Sequence, residues 1–199
     1  MHDQDYEVIR RILGGEKKAY AELVERHKDR AMTLALKMLK NREDAEEALQ
    51  DAFIRVFNAL PRFEWKSSFS TWFYRIVYNV CATELGKRDD RQLLSISEDE
   101  ETGTSLDIVS DEIPPDLALE STELETIVAE EIGRLPDAYG PTFVLFFVQD
   151  MSYDEIVEVT GLPLGTVKAR LFRARTLLRD AVARRIGKEQ AGQRQERVA

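Results

Sequence analysis

A chain of 199 residues, 43% of them hydrophobic, suffices for one ordinary domain or two small ones, each with its own core. The longest unbroken apolar run, Phe143 to Val148, falls far short of the roughly 20 residues that cross a bilayer, and the N-terminal MHDQDYEVIRR lacks a signal-peptide apolar segment, so the cytoplasm is the expected location. One cysteine (Cys81) and two histidines (His2, His27) leave no internal disulfide and little material for a metal or redox centre, so no cofactor is expected. The net charge of −9 argues against phosphate binding only as an average.

In chain order, residues 16–39 place Tyr20, Leu23, Val24, His27, Ala31, Leu34, Ala35, Met38 and Leu39 at spacings of three and four, the period of an amphipathic helix. His27 falls on that stripe and reads as a core histidine. Asn41 can cap a second helix, whose apolar face runs Ala45, Ala48, Leu49, Ala52, Phe53, Val56, Phe57 and Leu60 before Pro61 stops it. Its solvent side carries Glu43, Asp44, Glu46, Glu47, Gln50 and Asp51, and acids near a helix N-terminus are favourable without any partner. A third helix follows Ser70, read as its N-cap, and buries Trp72, Phe73, Ile76, Val77 and Val80.

Between the second and third helices lies PRFEWKSSFSTWFYRIVYN, residues 61–79, with Phe63, Trp65, Phe69, Trp72, Phe73, Tyr74 and Tyr78. Phe69, Trp72 and Phe73 read as core. Phe63 and Trp65 sit in a loop beside Lys66, Ser67 and Ser68, a surface on which unstacked bases rest well. Arg75, Tyr78, Asn79 and Ala82, continued by Lys87, Arg88 and Arg91, form a polar stripe that can flank such a strand.

Between Ile96 and Glu131 lie 13 acidic residues and no Lys or Arg, which leaves the rest of the chain net basic. The stretch from Ser95 to Ser121, with Gly103 and Pro114-Pro115 and no aromatics, reads as a flexible acidic linker. Helical patterns resume at 124–134, 138–149, 152–160 and 164–186, ahead of a polar tail from 188. Within SYDEIVEVTGLPLGTVKARLFRARTLLR, residues 152–179, Ser152 and Glu155 form a capping box, Gly161 permits a tight turn, and Pro163 and Thr166 open a second helix. Val167, Leu171, Ala174 and Leu178 face inward, leaving Lys168, Ala169, Arg170, Phe172, Arg173 and Arg175 on the other faces. That order is a helix-turn-helix with a basic recognition helix suited to the major groove.

With these residues in view, the chain resembles the extracytoplasmic-function group of the sigma-70 family over roughly residues 7–186. The resemblance rests on REDAEEALQDAFIRVF, FSTWFYRIVYN and SYDEIVEVTGLPLGTVKARLFRARTLLR, in family order and spacing. It implies an all-α protein of two small helical domains: a sigma domain 2 bundle (1–94) and a sigma domain 4 helix-turn-helix (122–187), joined by the linker (95–121) and followed by a disordered tail (188–199). In that family the acidic helix binds core RNA polymerase, a partner contacted through its beta and beta-prime subunits, which points here to Asp44, Glu47, Gln50, Asp51 and Phe53. The loop and next helix take the melted minus-ten element, implying Phe63, Trp65, Lys66, Ser68, Arg75, Asn79 and Arg88. The helix-turn-helix reads the minus-thirty-five element of promoter DNA, implying Thr166, Lys168, Ala169, Arg170, Phe172 and Arg173. An anti-sigma factor anchored in the membrane is a further implied partner; no small-molecule substrate and no catalysis are implied. Tyr78, Val80 and Cys81 depart from the family's more polar, often basic pattern on that helix, and Gly86 weakens its end.

Two rival readings compete. A conventional helix-turn-helix regulator accounts for the second domain but leaves the aromatic loop and acidic helix unused. A metal-dependent enzyme built on Glu46 or Glu47 lacks any accompanying nucleophile, phosphate loop or pocket pattern.

Overall fold

A computed structural model describes residues 2–92 and 121–196, and every regular element among them is a helix. The linker thus lies outside the described residues, except Ser121, which opens a helix. The chain begins with a helix that the sequence reading passed over, α1 (His2–Leu13), which buries Val8, Ile9 and Ile12. Gly14 and Gly15 end it, and Gly15 takes φ +105°, a conformation that favours glycine. A 3-10 turn (Lys17–Ala19) replaces the first residues of the helix expected from 16, and α2 (Tyr20–Leu39) follows.

Asn41 caps α3 (Arg42–Ala59) as anticipated, its side chain accepting from the Asp44 N–H. The cap of α4 (Phe69–Gln92) is Ser68 rather than Ser70. Its hydroxyl accepts the Thr71 N–H at 3.0 Å and its carbonyl accepts the Trp72 N–H at 3.1 Å. Moving the start by two residues puts Phe69 inside the helix, where its ring lies stacked 5.9 Å from that of Phe73. The second half comprises α5 (Ser121–Arg134), α6 (Gly140–Phe147), α7 (Tyr153–Thr160) and α8 (Leu164–Glu196). The capping box at Ser152 and Glu155 is present in both directions, and Gly161 ends α7 at φ +72°.

Both helical units are present, but they do not keep separate cores. Phe73, Leu23, Leu34, Val56, Leu60 and Val77 from the first half pack in one continuous cluster with Val144, Leu145, Ile156, Val167 and Leu171 from the second. Each such buried side chain contributes roughly 1.5–3 kcal/mol through the apolar area it removes from water. A smaller cluster of Leu135, Phe143 and Ala174 fastens α6 to α8.

His27 is a core residue, as its place on the stripe predicted. Its ring sits 5.3 Å from those of Phe69 and Phe73, and Nε2 lies 3.1 Å from Asp5 Oδ2 on α1. Arg26 Nη1 donates to the other Asp5 oxygen at 2.6 Å. Burial opposes ionisation of Asp5, but the hydrogen bonds from His27 and Arg26 outweigh it and hold the carboxyl below its ordinary value of 3.8. A carboxylate with a depressed folded-state value stabilises the fold above 3.8 and loses that contribution as the pH falls through the folded value. Asp5→Asn is therefore expected to destabilise the protein by about 1–3 kcal/mol at neutral pH. Acid titration of both proteins should show the wild type losing part of its advantage below pH 3.8; parallel acid curves would contradict the assignment.

Candidate nucleic-acid and polymerase interfaces

Helix α3 places Glu47 and Gln50 in solvent and leaves Asp44 and Asp51 half-buried. Asp51 pairs with Arg55 one turn on, at 2.8 Å. Phe53, the remaining residue assigned to the polymerase-binding face, points inward: its ring lies 5.1 Å from Phe73 and its carbonyl accepts the Tyr20 hydroxyl at 2.6 Å. The exposed apolar residues on this helix are Ile54, 60% accessible, and Phe57. Ile54 follows Phe53 by one residue, about 100° around the helix, which carries it from the core side to the acidic side.

The loop after α3 forms an aromatic ledge. Phe63 is half-buried, with ring centroids 4.7 Å from Trp65 and 4.8 Å from Trp72. Trp65 is 42% exposed and adopts φ +59°, an uncommon conformation for a bulky residue. Its other neighbour is Tyr6 of α1, at 4.9 Å and half-exposed. Tyr6 was missed because α1 was missed, although Val8, Ile9 and Ile12 carry the helical spacing that marks it. Lys66 extends into solvent and pairs with Glu64 at 2.5 Å. Arg75 and Asn79 lie exposed on α4 beyond the ledge. Arg88 is on the same helix.

Ser68, by contrast, is engaged. Its hydroxyl lies 2.7 Å from Thr71 Oγ1, and Thr71, fully buried, donates to Glu155 Oε1 of α7 at 2.8 Å. Across this junction the helix-turn-helix rests on the first unit. A second set of polar contacts ties α2 to the α5–α6 corner. Lys37 Nζ donates to the carbonyls of Gly133 at 2.8 Å and Leu135 at 2.5 Å, and Lys40 pairs with Asp137 at 2.6 Å. Gln149 Nε2 donates to the Arg30 carbonyl at 2.8 Å. Lys37 is buried, and burial lowers its ammonium below the ordinary value.

On α8, Lys168, Phe172 and Arg173 are exposed, whereas Thr166, Ala169 and Arg170 are half-buried. Arg175 has a packing role: its guanidinium lies over the rings of Phe147 at 4.9 Å and Phe146 at 5.5 Å. The inward set Val167, Leu171 and Ala174 is buried as its spacing predicted.

A capped helix, a left-handed glycine and a second helix with a basic outer face define a helix-turn-helix protein, here attached to an all-helical unit with an exposed aromatic ledge. Family models agree with both halves: sigma-70 region 2 matches residues 23–91, and sigma-70 region 4 matches residues 126–178. Over 173 residues the chain is 34% identical to the ECF RNA polymerase sigma factor SigW of Bacillus subtilis, covering 86% of this chain and 92% of that protein. It is 31% identical over 183 residues to the ECF RNA polymerase sigma-E factor of Haemophilus influenzae, covering 89% and 95%. The chain belongs to the extracytoplasmic-function (ECF) RNA polymerase sigma factors, which are transcription initiation factors rather than catalysts. Among solved structures it shares its fold with RpoE in complex with the anti-sigma factor NepR from Bartonella quintana, at TM-score 0.60 and 18% identity over 83% of this chain and 98% of that one. CnrH in complex with the cytosolic domain of CnrY matches at TM-score 0.56 and 24% identity over 87% and 94%. Among the described residues no helix is long and apolar enough to cross a membrane.

Proposed function

We propose that this chain directs core RNA polymerase to promoters through three separate surfaces, with residues 1–94 and 122–187 as the two working domains, 95–121 as the tether and 188–199 as a tail. The outer face of α3, with Asp44, Glu47, Gln50 and Asp51, docks on polymerase. Ile54 replaces Phe53 as its apolar contact, because an exposed side chain can bury fresh area on binding and an inward one cannot. Phe63, Trp65 and Lys66, with Arg75, Asn79 and Arg88, take the melted minus-ten strand; Ser68 joins them only when its hydroxyl is released. Thr166, Lys168, Ala169, Arg170, Phe172 and Arg173 read the minus-thirty-five duplex.

The observation that carries this reading is that one chain exposes both an aromatic ledge and a basic recognition helix, the two chemistries of single-strand and duplex recognition. Two solved structures of the same fold are complexes, one with the anti-sigma factor NepR and one with the cytosolic domain of CnrY, which supports control of this chain by an anti-sigma factor; a membrane-anchored partner would hold it at the cytoplasmic face. The direct test adds the purified chain to sigma-free core polymerase and fragmented host DNA and sequences the run-off transcripts. New start sites sharing two spaced upstream elements are the expected result. Their absence, with the core active on another sigma factor, would favour the regulator reading.

Two substitutions separate the surfaces. Trp65→Asn keeps a residue that tolerates the left-handed backbone but removes the ring, and is expected to weaken opening of the minus-ten region by roughly 1–3 kcal/mol. Permanganate reactivity of unpaired thymines measures it, and unchanged reactivity would remove Trp65 from the strand path. Arg173→Ala is expected to flatten discrimination among minus-thirty-five sequences by roughly 1–3 kcal/mol. Transcription from templates differing only in that element is the readout, and retained discrimination would exclude a base contact.

A further inference from the structure

We infer that α1 lengthens the single-strand path: Tyr6 carries one further base of the melted strand, and Arg10 holds that nucleotide's phosphate. This deepens the minus-ten reading of the ledge and rests on it.

The two sides of α1 differ. Asp5, Val8, Ile9 and Ile12 are buried, whereas Tyr6, Arg10 and Leu13, at spacings of four and three, are exposed and share the outer face. An exposed tyrosine standing alone would need no explanation. Tyr6, however, ends a continuous row of rings. Its centroid lies 4.9 Å from that of Trp65, which lies 4.7 Å from Phe63, which in turn lies 4.8 Å from Trp72. Exposure rises along the row, from half-buried Trp72 and Phe63 to Trp65 at 42% and Tyr6 at 50%. The ledge therefore continues from the loop onto α1, and its outermost ring offers the largest fraction of free surface. A base between two rings needs about 7 Å, twice the contact distance of about 3.5 Å between carbon atoms. The observed spacings leave no such slot, so bases rest on the outer surfaces of Trp65 and Tyr6.

Groups suited to the backbone lie alongside. Arg10 follows Tyr6 by four residues, about 6 Å along the helix axis, and its side chain is 68% exposed. Its pairing with Glu7 at 3.3 Å joins two exposed groups of one helix, a contact that contributes little. A phosphate offers the same guanidinium a bidentate partner. Glu64, the acid next to Trp65, is itself paired with Lys66. The platform is fixed because Asp5, adjacent to Tyr6, is held by Arg26 at 2.6 Å and His27 at 3.1 Å. Stacking does not read base identity, so Tyr6 adds grip rather than sequence preference.

The test uses the full chain bound to core polymerase and a promoter recovered by run-off sequencing, premelted over its minus-ten element. Abasic nucleotides are walked singly along the captured strand. In the parent protein, an abasic nucleotide at the Tyr6 position should weaken binding about tenfold. In Tyr6→Ala the same nucleotide should cost nothing further, while Tyr6→Phe should behave as the parent. Each comparison is made within one protein, so a change in folded fraction cancels. Trp65→Asn should silence a different position. Arg10→Gln should weaken binding to all sequences alike and reduce the salt slope by about 0.7; an unchanged slope removes the phosphate contact. If Tyr6→Ala silences no position, or only the one that Trp65→Asn silences, Tyr6 merely props Trp65 or faces a protein, and the inference falls while the ledge stands. If neither variant silences any position, the minus-ten reading of the ledge falls, and the extension with it.

Discussion

The arrangement of the whole chain turns on one carboxylate placed between two helix starts. Glu155 Oε2 accepts the Ser152 N–H and hydroxyl, both at 2.9 Å, closing the capping box of α7. Its other oxygen accepts from Thr71, three residues after the cap of α4, at 2.8 Å. The first turn of α4 thus donates the Thr71 hydroxyl and the start of α7 an N–H and a hydroxyl to one negative charge, which lies beside two helix N-termini. A residue that any helix would use for its own cap is shared here across the seam between the two units. This fixes how the helix-turn-helix sits, because the rigid α7–Gly161–α8 turn carries the recognition helix with it.

How legible this was in the sequence follows from the range of each interaction. The Asn41 cap, the Ser152–Glu155 box and the left-handed Gly161 involve residues within a few positions of each other, and their chemistry was readable in order. The same locality misled at Ser68 and Ser70, two plausible caps two residues apart, where the choice is made by which start buries Phe69 against Phe73. Phe53 carries both a core and a surface expectation; its ring packs on Phe73, and the exposed apolar side chain beside the acids is its neighbour Ile54. Lys37 left a faint trace: a lysine among Leu34, Ala35, Met38 and Leu39 interrupts an apolar stripe. Nothing nearby in sequence names its partners, the carbonyls of Gly133 and Leu135, so a contact nearly a hundred residues long stayed out of reach of pattern reading. The resemblance to a family supplied what periodicity could not, the assignment of surfaces to polymerase and promoter.

Strain and exposure concentrate on the ledge and the outer face of α8, the surfaces proposed for nucleic acid. A left-handed tryptophan costs on the order of 1–3 kcal/mol and persists only when its surroundings over-determine it. Here Tyr6 and Phe63 lie on either side of Trp65, so α1 helps to hold the ledge in its strained shape. That gives the Asp5–His27–Arg26 cluster a functional consequence: by fastening α1 to α2 it keeps Tyr6 beside the ledge. A solvent-exposed indole and a solvent-exposed Phe172 on α8 are surfaces whose apolar area is not covered within the chain, and their burial is available to drive binding.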